Sequence, residues 1–147
     1  MKILVLSDNH FTDLSKIKKE DYDLIIHAGD YGIFRKQLEN LGAKYVKGNC
    51  DFFSDRKTSD IVTINGTKIY FTHGHLIRDV EKLVESAKSG GAKIALYGHT
   101  HIAYTNYFDG VYVMNPGSIT APRDQSRGSY GIIDITDGGI ITFTVRI

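Results

Sequence analysis

One cysteine, two prolines and no tryptophan are spread over 147 residues. A lone Cys50 excludes an internal disulfide, and it excludes the thiolate-rich kind of structural zinc site. Two prolines rule out a proline-rich linker, and no repeat or low-complexity segment interrupts the chain. An excess of charge of one sign is missing as well: 18 Lys and Arg stand against 17 Asp and Glu, for a net charge of +1. No long-range field therefore draws the protein to nucleic acid or to a membrane surface, and no stable partnership with either is expected. The only short cluster of like charge, around Lys16, Lys18 and Lys19, reads as a solvated helix face. No apolar run approaches the ~20 residues of a membrane-spanning helix. The opening run 3–6 is cut short by Asp8, unlike a signal peptide. These absences lead to an expectation of a cytoplasmic protein.

What is present is enough apolar residue, 41% of the chain, for one core in a single domain, 1–147. Runs 3–6, 23–27 and 43–47 read as buried parallel strands, with helices expected over 11–20 and 33–41 between them. Gly42 reads as a helix stop. Three hairpin signals follow: Asn65-Gly66 between 60–64 and 67–72, Asp109-Gly110 between 102–108 and 111–114, and Asp137-Gly138-Gly139 between 129–135 and 140–147. Residues 76–88 have helical spacing, with Leu76, Val80, Leu83, Val84 and Ala87 on one face, and 93–97 reads as a further buried strand. The chain thus starts as α/β and ends in antiparallel hairpins. The expected class is α/β (α+β by some schemes), with two mixed sheets packed face to face and helices outside.

Five of the six histidines fall in short polar pieces that each follow an apolar run. The pieces are Asp8-Asn9-His10, Gly29-Asp30, Gly48-Asn49-Cys50-Asp51, His73-Gly74-His75 and Gly98-His99-Thr100-His101. Ligands bind beyond the carboxyl ends of strands in open α/β sheets, so five such pieces can converge on one site. Asp8, His10, Asp30, Asn49, His73, His99 and His101 are the candidate metal ligands. Mixed oxygen and nitrogen donors suit Mn, Fe, Ni, Co or catalytic Zn. Seven exceed what one catalytic zinc uses and suit two ions about 3.5 to 4 Å apart. Two divalent ions, less two carboxylates and a hydroxide, leave one positive charge, which matches a phosphodiester anion.

The ordered motifs Asp-x-His, Gly-Asp, Gly-Asn-x-Asp, His-Gly-His and Gly-His-x-His resemble those of the calcineurin-like metallophosphoesterases, and most closely their small prokaryotic YfcE-like phosphodiesterase branch. Asn115-Pro116-Gly117-Ser118 is similar to a turn of that branch. The resemblance implies a four-layer α/β/β/α sandwich. It places Asp8, His10 and His101 on one metal, Asn49, His73 and His99 on a second, and Asp30 between them. It implies in-line attack of a metal-bound hydroxide on a small phosphodiester, with two Mn2+ ions as the first choice and Ni2+, Co2+, Fe2+ or Zn2+ as alternatives. Two departures stand out. Gly29-Asp30-Tyr31-Gly32 lacks the second Asp of the longer family motif. Cys50 occupies the position where many relatives carry a histidine acid. A thiol is a poor proton donor at that point, so good leaving groups are expected to be favoured.

Other residues have competing readings. His27 reads as a core or supporting histidine. His75 either contacts phosphate, donates a proton in place of Cys50, or packs at a helix start. Asn9 orients its loop or touches phosphate. Arg123 and Arg127 either clamp phosphate or lie solvated. Phe52, Phe53, Tyr104, Tyr107 and Phe108 read most simply as core or hairpin packing. Exposed hairpin edges are compatible with a homodimer. The competing functions are a phosphomonoesterase and a protein-binding scaffold, the latter because a retromer subunit resembles this fold. A nuclease acting on polymer is disfavoured by the short chain and neutral charge.

Overall fold

The computed structural model describes residues 1–10 and 12–147. Its ten strands are β1 (Lys2–Leu6), β2 (Leu24–His27), β3 (Lys44–Tyr45), β4 (Ser59–Ile64), β5 (Thr67–Thr72), β6 (Ile94–Leu96), β7 (Ala103–Phe108), β8 (Val111–Pro116), β9 (Ser129–Thr136) and β10 (Gly139–Arg146). They form two five-stranded sheets, ordered β10-β9-β1-β2-β3 and β4-β5-β6-β8-β7. Both sheets are mixed. In the first, β1, β2 and β3 run parallel while β9 and β10 are antiparallel. In the second, β5, β6 and β8 run parallel between antiparallel edges β4 and β7.

The side-chain alternation of the strands explains the layering. Ile3 and Val5 of β1 join Ile26, Ile69, Phe71, Ile94, Leu96, Met114 and Ile133 in a core between the sheets. Leu4 and Leu6 point the other way, into a cluster with Ile25 and Ile132 on the outer face. A strand buried on both faces must be apolar throughout, which is why the 3–6 run shows no alternation. On the far side, α2 (Val80–Ser89) lays Leu83, Val84 and Ala87 on Ala95, Val111 and Val113. Leu38 of α1 (Arg35–Asn40) packs with Leu14, Tyr31 and Tyr45 over the first sheet. The expected sandwich, sheet on sheet with helices outside, is the observed one.

The helix expected over 11–20 does not form. Residues 12–18 are irregular apart from a turn at Ser15 and Lys16, and only Lys19–Asp21 makes a single 3-10 turn; Phe11 lies outside the described residues. Side chains capture the backbone instead. Asp13 accepts from the Ser15 N–H at 2.5 Å, Gln37 accepts from the Leu14 N–H at 2.7 Å, and Asn9 donates to the Thr12 carbonyl at 3.0 Å. Such bonds compete with helix hydrogen bonding. Leu14 and Ile17 still pack inward, as their spacing suggested. Likewise α2 starts at Val80 rather than 76, because Asp79 caps it by accepting from the Lys82 N–H at 2.9 Å. Leu76 therefore lies outside the helix and is exposed.

The hairpin signals correspond to real turns. Asn65 and Gly66, with φ of 48° and 77°, and Asp109 and Gly110, with 50° and 81°, take the paired left-handed conformation of a two-residue hairpin loop. The aromatic packing expectation fails at Phe52 and Phe53, which stand exposed on the loop after β3, and holds at Tyr107, whose ring packs 4.7 Å from that of its cross-strand partner Tyr112. Among the described residues, no helix is long and apolar enough to cross a membrane.

Candidate metal centre

Each of the five polar pieces leaves the carboxyl end of a strand: β1, β2, β3, β5 and β6. Backbone hydrogen bonds tie the pieces together. The Asp8 N–H donates to the Gly29 carbonyl at 3.1 Å, His10 to Asp30 at 3.3 Å, and Gly98 to His73 at 2.8 Å. Asp8, His10, Asp30, His99 and His101 all have left-handed φ values, from 27° to 70°. That conformation costs free energy for residues with a Cβ and collects where a site demands it. It turns each side chain back over the strand ends.

The two carboxylates divide their oxygens alike. Asp8 Oδ2 accepts from Ser7 Oγ at 2.6 Å and from the His99 N–H at 2.9 Å, while Oδ1 has no hydrogen-bond partner. Asp30 Oδ1 accepts from the Cys50 N–H at 2.9 Å, while Oδ2 faces His73 Nε2 at 3.2 Å and His10 Nε2 at 3.7 Å. One oxygen of each is anchored and the other is presented. The approach is close enough that a Cβ on Gly48 would overlap Asp30 Oδ1, and one on Gly98 would overlap Ser7 Oγ.

Two histidine tautomers are set by carbonyls. His73 Nδ1 lies 2.7 Å from the Ala28 carbonyl, and His101 Nδ1 lies 2.7 Å from that of Ala121. A carbonyl only accepts, so both Nδ1 atoms carry the hydrogen and both Nε2 lone pairs point into the centre. There His101 Nε2 stands 3.3 Å from Asp8 Oδ1 and 3.4 Å from His10 Nε2. The His101 Nε2 lone pair and Asp8 Oδ1 are two acceptors 3.3 Å apart and call for a cation between them. His73 Nε2 and Asp8 Oδ1, buried and without hydrogen-bond partners, make the same demand. Donor atoms of Asp8, His10 and His101 lie within 4.8 Å of one another, as do those of Asp8, Asp30 and His73. Asn49 Oδ1 and His99 Nδ1 approach to 3.2 Å at the exposed rim. Five of the seven expected ligands thus share donor clusters, with His99, its ring 5.2 Å from that of His73, and Asn49 beside them, and the donor set fits divalent cations.

The electrostatics agree. Burial opposes the charged form of both Asp30 and His73, yet Asp30 is held well below the ordinary carboxylate range by His73, the Cys50 N–H and His10. His73 is pushed up by Asp30 and Asp8. Burial and then Asp30 raise the Cys50 thiol, which stays neutral. Burial, with His73 and His99 nearby, lowers His75. Its ring lies 5.5 Å from that of His73 and 6.3 Å from that of His99, close beside the ligands.

His27 is a supporting residue. It is fully buried, its Nδ1 accepts from the Gly29 N–H at 3.0 Å, and its Nε2–H donates to Asn9 Oδ1 at 2.8 Å. Burial pushes its pKa down to about 3. Asn9 is equally buried, and its amide is committed to His27 and to the Thr12 carbonyl. It orients its loop, and the substrate contact considered for it does not fit. Arg123 is exposed and its N–H donates to the His101 carbonyl at 2.9 Å. Arg127 lines a shallow groove with Asp124, Ser126 and Arg146 that contains none of the seven ligands, so a phosphate clamp there is not supported.

Several supporting residues carried no role in the sequence reading. Asp51 accepts from the N–H groups of Asp30 and Gly48, each at 2.8 Å, and of Gly32 at 3.3 Å, clamping two ligand loops. Ser118 Oγ donates to the Asp8 carbonyl at 2.7 Å and accepts from the Ala121 N–H at 2.8 Å. Asn115 donates to the Gly98 carbonyl and to Thr100 Oγ1, each at 3.0 Å. Asp51 had a signal, its fixed place in Gly-Asn-x-Asp. The Asn-Pro-Gly-Ser turn showed only as a turn.

Residues 1–138 match the family model described as the calcineurin-like phosphoesterase superfamily domain. The chain is 34% identical to the probable metallophosphoesterase YsnB of Bacillus subtilis, over 97% of this chain and 90% of that protein. It is 33% identical to phosphodiesterase MJ0936 of Methanocaldococcus jannaschii, over 80% of this chain and 83% of that protein. The crystal structure of a predicted phosphoesterase from Streptococcus pneumoniae superposes with a TM-score of 0.78 at 29% identity, covering 98% of this chain and 97% of that one.

Proposed function

We infer the reaction from the premise that the chain belongs to the calcineurin-like phosphoesterase superfamily. It is a metal-dependent phosphoesterase. We propose that it is a dinuclear phosphodiesterase, with Mn2+ as its preferred ion, acting on a small diester by in-line attack of water. Asp8, His10 and His101 would hold one ion, Asn49, His73 and His99 the other, and Asp30 both. When bound, the ions would lower the pKa of a coordinated water and stabilise charge on the phosphoryl oxygens.

The chain's own residues do the rest. The Ala28 and Ala121 carbonyls keep His73 and His101 in the ligating tautomer. The two aspartates leave the loaded centre a small positive charge, suited to a diester anion. His75 is the side chain placed to meet the substrate beside His73 and His99. Its depressed pKa keeps it neutral near pH 7, so it donates a hydrogen bond rather than serving as a strong acid. Cys50, a neutral thiol, adds little to leaving-group protonation. Arg123, an exposed cation whose backbone N–H donates to the His101 carbonyl, is the remaining candidate for a phosphate contact. Activated leaving groups are therefore favoured.

The observation that carries this reading is the clustering of donor atoms from Asp8, His10, Asp30, His73 and His101, two of them, Asp8 Oδ1 and His73 Nε2, buried and left without hydrogen-bond partners. Hydrolysis of bis(p-nitrophenyl) phosphate and of p-nitrophenyl phosphate, across Mn, Ni, Co, Zn and Mg, tests it. Faster diester turnover with Mn, abolished in Asp30→Asn, is expected. Preference for the monoester would make the protein a phosphomonoesterase. No metal-dependent turnover of either would leave a scaffold.

A further inference from the structure

Two loops that each carry a metal ligand also form the walls of an apolar groove of about 410 Å³. The loop after Asp30 contributes Tyr31, Ile33 and Arg35, and the loop after Asn49 contributes Cys50, Phe52 and Phe53. The groove adjoins the centre through Cys50, whose sulfur lies within 4.8 Å of the donor atoms of His10 and Asp30. Ile33 is 89% exposed, Phe52 81%, and Phe53 fully. Leaving a large apolar side chain in water forgoes the free energy of burying it. These rings stand out on a well-anchored loop. Asp51 holds its base through three backbone N–H groups, the Ser54 N–H donates to the Asp51 carbonyl at 3.1 Å, and Tyr31 donates to Ser54 Oγ at 2.6 Å.

The charge in the groove is already answered. Arg35, its only cation, is paired with Glu39 at 3.1 Å and Asp55 at 2.8 Å. The Asp51 carboxylate is occupied by backbone donors. Neither a second phosphate nor a charged headgroup finds a counterion here, whereas a flat neutral ring finds two phenyl faces and an isoleucine. We propose that the groove binds the nucleobase of a nucleoside esterified to the phosphate that lies on the metal centre. Resting on the phosphodiesterase reading, this narrows the substrate to small nucleoside diesters. Stacking on aromatic side chains tolerates any base, so the preference is for a base and not for one base.

Calorimetric binding of adenosine 5′-monophosphate and of ribose 5-phosphate to the Mn-loaded protein isolates the ring, because the two probes share ribose and phosphate. The nucleotide is expected to bind about tenfold or more tighter. In the Phe52→Ala, Phe53→Ala double variant that ratio should fall to near one. Both side chains are exposed, so folding is not at risk. Equal affinities in the wild type, or a ratio kept in the variant, overturns the proposal. So does equal affinity together with a dimer that the double variant dissolves, which would assign the face to a second copy. Turnover of bis(p-nitrophenyl) phosphate is read separately. A base preference without turnover refutes the phosphodiesterase reading and leaves the groove standing. Turnover without a base preference does the reverse.

Discussion

The two halves of the proposed metal centre are built to different depths. On one side, Asp8 and His101 are buried and His10 is half-buried, and the Ala121 carbonyl fixes the His101 ring. On the other, His73 is just as buried and fixed by Ala28, yet Asn49 and His99 are exposed at the rim. Buried donors held by surrounding hydrogen bonds lose little freedom when they bind a cation, whereas exposed ones must be ordered by it. The first half should therefore hold its ion tightly. The second should exchange it, next to the space where substrate enters. Asp30, with one oxygen anchored and one presented, joins the two.

Asp30→Asn should break both halves together, lowering kcat on bis(p-nitrophenyl) phosphate about a thousandfold or more. A loss of less than tenfold would mean the halves work separately. Next come the ligands that separate them. His101→Ala should weaken the tighter ion by about a hundredfold or more, and His99→Ala should weaken only the looser one, by about tenfold. Equal effects in a Mn2+ titration would erase the distinction. Cys50→His, on the loop of the looser half, should raise turnover of alkyl diesters about tenfold or more while changing activated diesters little. Equal gains on both would mean proton donation was never limiting. Ser118→Ala strips a hydroxyl from the backbone of the deeper half. It should cost about 1 to 3 kcal/mol in urea unfolding of the metal-free protein.

The smallest effect concerns pH. His27, beneath the deeper half, has its folded pKa pushed by burial from the ordinary 6.5 to about 3. The unfolded chain therefore binds the extra proton first. His27 makes no difference above about 6.5, and below that it subtracts stability as pH falls toward 3. His27→Gln should flatten part of that acid limb in metal-free unfolding curves, and an unchanged limb would contradict the assignment.

What could be read from residue order alone follows a physical line. Strands buried on both faces show as apolar runs, so β1, β2 and β6 were visible, and the ligand pieces stood out because each followed such a run. The seven proposed ligands were readable as residue types in order. The helix expected over 11–20 was misread because its backbone is held by side chains as far away as Gln37, a contact that periodicity does not carry. The roles of Ser118 and Asn115 were hidden for the same reason. Ser118 reaches Asp8 across 110 positions. Asp51 bonds to the backbone of the loop that bears Asp30, 21 positions away. Phe52 and Phe53 looked like core because apolar residues usually are. Only the anchoring of their loop reveals them as surface.

The most direct measurement is a calorimetric Mn2+ titration of metal-stripped protein, with elemental analysis after dialysis. Two ions per chain should bind in two resolved steps, the tighter one weakened in His101→Ala and the looser one weakened in His99→Ala. A single ion per chain, or two of equal affinity that neither variant separates, would contradict a two-metal centre with a deep half and an open half.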